Sequence, residues 1–218
     1  MVSNECMSSD ALLNNGFSQS NNGIIIAPPT NLDRRVTSIH DPYRLVNIAH
    51  IVLDPQYANS RGRLSISICP GKKDSRWNRN LPMDLHTIKG DGIEVIVCLL
   101  EWSEMRMLNV TDYPKRAQEE GILFYHLPIR DRGVPQQKET NVLVPLIVQQ
   151  LVAGKHVLVH CRGGLGRAGM ICACCLGHFG YTGKDAIDMV RKQRPGAIQT
   201  MKQEESVIQY CQTLLTGF

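Results

Sequence analysis

The sequence predicts an α/β fold, with a mostly parallel central sheet flanked by helices on both faces. Short apolar runs alternate with longer helical patterns from residue 46 onward. Within the runs 93–100 and 156–160, Val95 to Leu100 and Val157 to Val159 are apolar without alternation, as strands covered on both faces are. A glycine-rich loop then joins the second run to an apolar, proline-free segment, giving the order strand, tight loop, helix.

The elements follow in order. Residues 1–45 are expected to be a polar, disordered extension, with Ser8-Ser9, Asn14-Asn15, Ser18-Gln19-Ser20-Asn21-Asn22 and Pro28-Pro29 and one apolar island at Ile24 to Ile26. Residues 46–218 are expected to form the domain, and at 218 residues and 43% hydrophobic the chain can bury a sizeable core. Strands are expected at 46–53, 64–69, 93–100, 121–127 and 156–160. Helices are expected at 82–90, 103–110, 114–120, 138–153, 167–180, 183–193 and 202–215. Thr182, with Asp185 three residues on, caps the 183–193 helix, and Pro195-Gly196 stops it. Thr200 caps the last helix, with Gln203 completing a capping box. No repeat of 20 to 50 residues is visible.

The loop His160-Cys161-Arg162-Gly163-Gly164-Leu165-Gly166-Arg167 carries the chemistry. Its glycines let successive N–H groups converge into an anion nest. The following helix adds the positive end of its dipole and its unpaired first-turn donors to the same point. Cys161 sits in electropositive surroundings that favour a thiolate, and Arg167 offers two parallel donors to phosphoryl oxygens. Thiolate, amides and guanidinium together suit attack on phosphorus. Arg162, Gly163, Gly164, Leu165 and Gly166 are the expected substrate-binding residues. A nucleotide loop would need Gly-Lys-Ser or Gly-Lys-Thr where Gly166-Arg167-Ala168 stands. Cys172, Cys174 and Cys175 lie within the apolar helical run, so neither metal nor other cofactor is expected.

HCRGGLGR resembles the cysteine, five residues, arginine signature of the protein tyrosine and dual-specificity phosphatases. That resemblance implies a tyrosine phosphatase-like fold, with Cys161 as nucleophile and Arg167 as phosphate clamp. Such an enzyme needs a proton donor for the leaving oxygen. Asp131 is the candidate, in the proline-bounded stretch Leu127-Pro128-Ile129-Arg130-Asp131-Arg132-Gly133-Val134-Pro135, some thirty residues before Cys161 as in that family. Asp112, Glu101 and Glu104 are weaker candidates, and the run 101–104 is expected to line the cleft rim. The segment Pro195-Gly196-Ala197-Ile198-Gln199-Thr200-Met201-Lys202-Gln203, with Gln199, Thr200 and Gln203 as polar groups placed to hold a water, and Leu64-Ser65-Ile66-Ser67 before Pro70-Gly71-Lys72 are similar to the kinase-associated branch of the family. The resemblance spans about 64–215. It implies a phosphorylated protein as substrate, with a cyclin-dependent kinase as the specific candidate. Ala168 departs from the family, most of whose members carry Ser or Thr there to help sulfur leave the phosphocysteine. Slow breakdown of that intermediate is therefore expected, and a phosphate-binding module with slow turnover is the alternative reading. Arg162 raises a third, an inositol lipid phosphatase.

The net charge of +4 and 6% aromatic residues show no basic patch interleaved with aromatics, so no nucleic acid partner is expected. Lys72, Lys73, Arg76 and Arg79 form a cluster expected to be a solvated face. No apolar stretch reaches 18 residues, so no transmembrane segment is expected. The eight cysteines are scattered or lie in apolar runs, which points to a reducing, cytoplasmic setting. Cys98, in the strand beside the one delivering Cys161, is a candidate partner for it on oxidation; the alternative is a packed core thiol. The sequence leaves the oligomeric state open.

Overall fold

The structure, a computed structural model, describes residues 62–216 and three short strands upstream. Those are β1 (Ser18–Gln19), β2 (Ile25–Ala27) and β3 (Ala49–Ile51). They are followed by β4 (Leu64–Ser67), the hairpin β5 (Lys73–Asp74) and β6 (Trp77–Asn78), α1 (Leu81–Gly90) and β7 (Ile93–Cys98). Next come α2 (Trp102–Met107), α3 (Tyr113–Glu119), β8 (Leu123–His126), α4 (Gln137–Val152) and β9 (His156–His160). The chain ends in α5 (Gly166–Gly177), α6 (Gly183–Gln193) and α7 (Met201–Thr216).

The sheet has the order β1-β2-β8-β7-β9-β4-β3. Its four central strands, β8, β7, β9 and β4, are all parallel, and the strands outside them are antiparallel. The last strand in the chain, β9, is thus inserted at the middle. Both of its faces are covered, which is why Val157, Leu158 and Val159 are all fully buried and the run reads as continuously apolar. Val157 and Val159 face one core with α4, α5, α6 and α7, and Leu158 faces the other with α1, α2 and α3.

Local signals placed the elements well. The 156–160 strand and 183–193 helix have the expected limits, and Thr182 caps α6 by accepting the Asp185 N–H at 3.2 Å. The 64–69 strand stops at Ser67, because the chain turns there and Cys69 donates its N–H to the Arg162 carbonyl in the glycine-rich loop. The 167–180 helix is buried all round from Gly166 to Leu176, as an apolar helix packed against the sheet must be. Two of the upstream strands come from the stretch read as a polar extension. Ile25 and Ile26 belong to its one apolar island, and β2 pairs antiparallel with β8. The remainder of 1–45, and of the expected 46–53 strand outside Ala49–Ile51, lies outside the described residues. Among the described residues no helix is long and apolar enough to cross a membrane.

Candidate active site

The glycine-rich loop hangs from the carboxyl end of β9, between the ends of β4 and β7, where open α/β sheets place their ligands. Gly164 lies against the end of β4 with φ of +62°, and a Cβ there would stand 2.1 Å from the Ser67 carbonyl oxygen. Only glycine allows this approach. Gly163 faces open space instead. The loop runs into the first turn of α5 at Gly166, so the unpaired N–H groups of that turn lie at its end. Cys161 is 3% exposed. Arg194 reaches the loop from behind, its Nε donating to the Gly164 carbonyl at 3.1 Å. Burial pulls its guanidinium below the ordinary value, and the charge of the nearby Cys161 partly offsets that.

Arg167 is 1% exposed and held by Glu104 of α2 and by the 129–131 loop. Its Nη1 donates to Glu104 Oε2 at 2.6 Å and to the Ile129 carbonyl at 2.8 Å; its Nη2 donates to Glu104 Oε1 and Asp131 Oδ1, both at 2.9 Å. Burial works against its charge, but the hydrogen bonds to Glu104 and the charges of Cys161, Glu104 and Asp131 outweigh that and hold it above the ordinary arginine value. Glu104 therefore does not line a rim. It is buried at 5% exposure beneath the arginine, and its Oε2 also accepts the Glu101 N–H at 3.0 Å, closing a capping box at the start of α2. Asp131 has 62% of its side chain exposed.

The 195–203 segment lies beside the loop that carries Asp131. Thr200 caps the last helix as expected, its Oγ1 accepting the Gln203 N–H at 3.2 Å. The expected capping box is not formed as drawn. The Gln203 amide accepts from the Gln199 N–H and donates to the Gly133 carbonyl instead, because the Asp131 loop packs over this turn. Gln199 is exposed, with its side chain over Gly166.

Other expected residues sort differently. Leu165 is half-buried as the residue before α5, and Arg162 is half-buried. Asp112 pairs with Arg116 on α3. The basic cluster is not one solvated face: Lys72 and Arg79 are buried and paired with Asp74 and Asp84, while Lys73 and Arg76 are exposed. Buried Asp84 in α1 and half-buried Asp74 in the hairpin draw the two inward. Cys98 is free and fully buried, with its thiol pushed up to about 12 by burial, and its register partner on β9 is His160. Cys172, Cys174 and Cys175 are buried in α5 with thiols pushed well up, also by burial. No group of His, Cys, Asp or Glu among the described residues is arranged to hold a metal.

Sequence reasoning missed the roles of Glu104 and Gln203. A glutamate in the first turn of a short helix after the strongest strand was the available signal for Glu104. A lone glutamine offers none.

This chain is similar to known proteins. Residues 77–207 match the profile of the family described as Swiss Army Knife protein, DSP-PTPase phosphatase domain. Human cyclin-dependent kinase inhibitor 3 is 33% identical over 143 residues, 64% of this chain and 68% of that protein. Mouse protein tyrosine phosphatase domain-containing protein 1 is 38% identical over 105 residues, 48% of this chain and 14% of that protein. The crystal structure of kinase associated phosphatase with serine at its catalytic-site cysteine superimposes with a TM-score of 0.71 and 26% identity, covering 79% of this chain and 98% of that one.

Proposed function

Since the chain belongs to the DSP-PTPase phosphatase domain family, we propose that it hydrolyses phosphate monoesters on proteins through a phosphocysteine intermediate. The observation that carries the proposal is the 2.9 Å contact between Arg167 and Asp131. It joins the acid loop to the clamp at the end of the loop that bears Cys161.

In this reading the phosphoryl group enters the nest with its oxygens on the loop N–H groups and Arg167. An arriving oxygen competes with Asp131 for Nη2 of Arg167 and turns that carboxyl toward the ester oxygen. Cys161 Sγ attacks phosphorus, the S–P bond forms, the P–O ester bond breaks, and Asp131 protonates the leaving oxygen. Asp131, now a carboxylate, takes a proton from a water that attacks the phosphocysteine, releasing inorganic phosphate and the thiolate. Gln199, exposed beside the loop, is the residue proposed to orient that water. Arg162, Gly163, Gly164, Leu165 and Gly166 frame the phosphate.

The substrate proposed is a phosphorylated protein kinase of the cyclin-dependent class. Its support is the naming of the human relative as a cyclin-dependent kinase inhibitor and of the solved structure as a kinase associated phosphatase. A second reading, a phosphate-binding module with slow turnover, draws on Ala168, which is fully buried directly after Arg167 and offers no hydroxyl. Hydrolysis of a small aryl phosphate, abolished in Cys161→Ser, separates the two. Capture from lysate on Asp131→Ala or Cys161→Ser protein tests the substrate; absence of any cyclin-dependent kinase among the phosphoproteins retained would remove that candidate.

A further inference from the structure

We propose that Gln203 is a positioning residue that tethers the acid loop, setting where Asp131 stands above Cys161. The inference rests on the phosphatase reading above. Gln203 is fully buried in the first turn of α7, at the meeting of three segments. Its Nε2 donates to the Gly133 carbonyl at 3.1 Å, two residues after Asp131. Its Oε1 accepts the Gln199 N–H at 3.0 Å. The same amide lies against Gly166 at the start of α5, where a Cβ would come within 2.9 Å of Oε1 and 3.1 Å of Nε2. A glutamine with no exposure is costly unless its polar atoms are satisfied, and here both bonds go to the backbone of flanking loops rather than to its own helix.

Both loops hold a non-glycine residue in left-handed backbone, Arg132 at φ of +60° and Ile198 at +57°. For a β-branched residue that conformation persists only where surroundings impose it. The Ile198 side is clamped from beneath: Arg191 donates to the Ala197 carbonyl at 3.2 Å and the Ile198 carbonyl at 2.9 Å, and is itself paired with Glu204 at 2.6 Å. Thr200 Oγ1 adds a long contact to the Arg132 carbonyl at 3.5 Å. Gln203 thus links a rigid anchor to the acid loop. The consequence appears on substrate binding. When a phosphoryl oxygen takes Nη2 of Arg167, Asp131 loses that hold, and the bond from Gln203 to Gly133 remains.

The test is Gln203→Met, an unbranched chain of similar length lacking both bonds, with Gln203→Glu, which keeps the acceptor but not the donor, as second variant. Each is assayed on a phosphothreonine peptide, whose leaving group needs a proton, and on a fluorinated umbelliferyl phosphate, whose leaving group does not. We expect kcat/KM, which reports formation of the phosphocysteine, to fall about 10- to 100-fold on the peptide, within the range general acid catalysis supplies, and to change by about threefold or less on the aryl ester. In an Asp131→Asn background, Gln203→Met should cause no further loss on the peptide. Equal losses on both substrates, additive losses with Asp131→Asn, no loss in either folded variant, or failure of both variants to fold would each overturn the proposal in favour of a packing role. Failure of the phosphatase reading is distinct: native protein would then show no hydrolysis of the aryl ester that Cys161→Ser removes.

Discussion

Glu104 grips both terminal nitrogens of Arg167, at 2.6 and 2.9 Å, with 7% and 1% of the two side chains exposed. The planar fork is thereby fixed before any phosphate arrives, which a point-charge partner would not achieve. Removing one member of such a pair leaves an uncompensated charge. Glu104→Ala should cost about 3 to 5 kcal/mol of stability, toward the lower end because Asp131 and the Ile129 carbonyl still accept from the guanidinium. Misplacing the clamp should lower kcat/KM on an aryl phosphate about 10- to 100-fold. Denaturant titration and initial rates check both; an unchanged kcat/KM would show that Arg167 keeps its place without Glu104.

Two adjacent glycines of the loop should respond in opposite ways. Gly163 has no atom within 4 Å of a Cβ, whereas Gly164 has positive φ and a Cβ there would meet the Ser67 carbonyl oxygen at 2.1 Å. Gly163→Ala should therefore keep the fold and phosphate binding. Gly164→Ala should lose about 3 kcal/mol or more, because strain and a backbone clash add. Thermal melting with and without inorganic phosphate measures the contrast, and similar behaviour of the two variants would contradict this loop geometry.

Ala168 sets the expected kinetic pattern. Without a hydroxyl beside the departing sulfur, the phosphocysteine should form faster than it breaks down, giving a pre-steady-state burst. Ala168→Ser should shrink the burst relative to the steady-state rate. Rapid-quench measurement with an aryl phosphate decides this, and equal burst and steady-state rates in both proteins would remove the idea.

Acid should destabilise the fold through two histidines. Burial pushes His126 down to about 4, the Leu100 carbonyl offsetting only part of that, and His160 down to about 3. In the unfolded chain both titrate near 6.5. The folded state binds protons less readily, so stability is complete above pH 6.5 and is lost as pH falls toward the folded values. At pH 5 the loss is about 2 kcal/mol per histidine. The orphaned His126 Nδ1 and His160 Nε2, buried without a partner, give a proton no compensating acceptor. Melting temperature should fall between pH 7 and pH 5, and less so in His126→Gln; a flat profile would count against both assignments.

The strand, glycine-rich loop and helix that carry Cys161 and Arg167 and the limits of β9 and α6 were readable from the chain alone. Apolar runs, caps and glycine punctuation act over a few residues and so leave a local trace. Glu104 and Arg167 lie 63 residues apart, and Gln203 and Gly133 lie 70 apart. No pattern in the sequence joins them. Their contacts exist because β9 enters the sheet between β7 and β4, bringing α2, the acid loop and α7 around one strand end. Tertiary structure alone assigned Glu104 to the clamp and Gln203 to the acid loop, because a buried charge or amide takes its partners from whatever the packed elements bring within hydrogen-bonding reach.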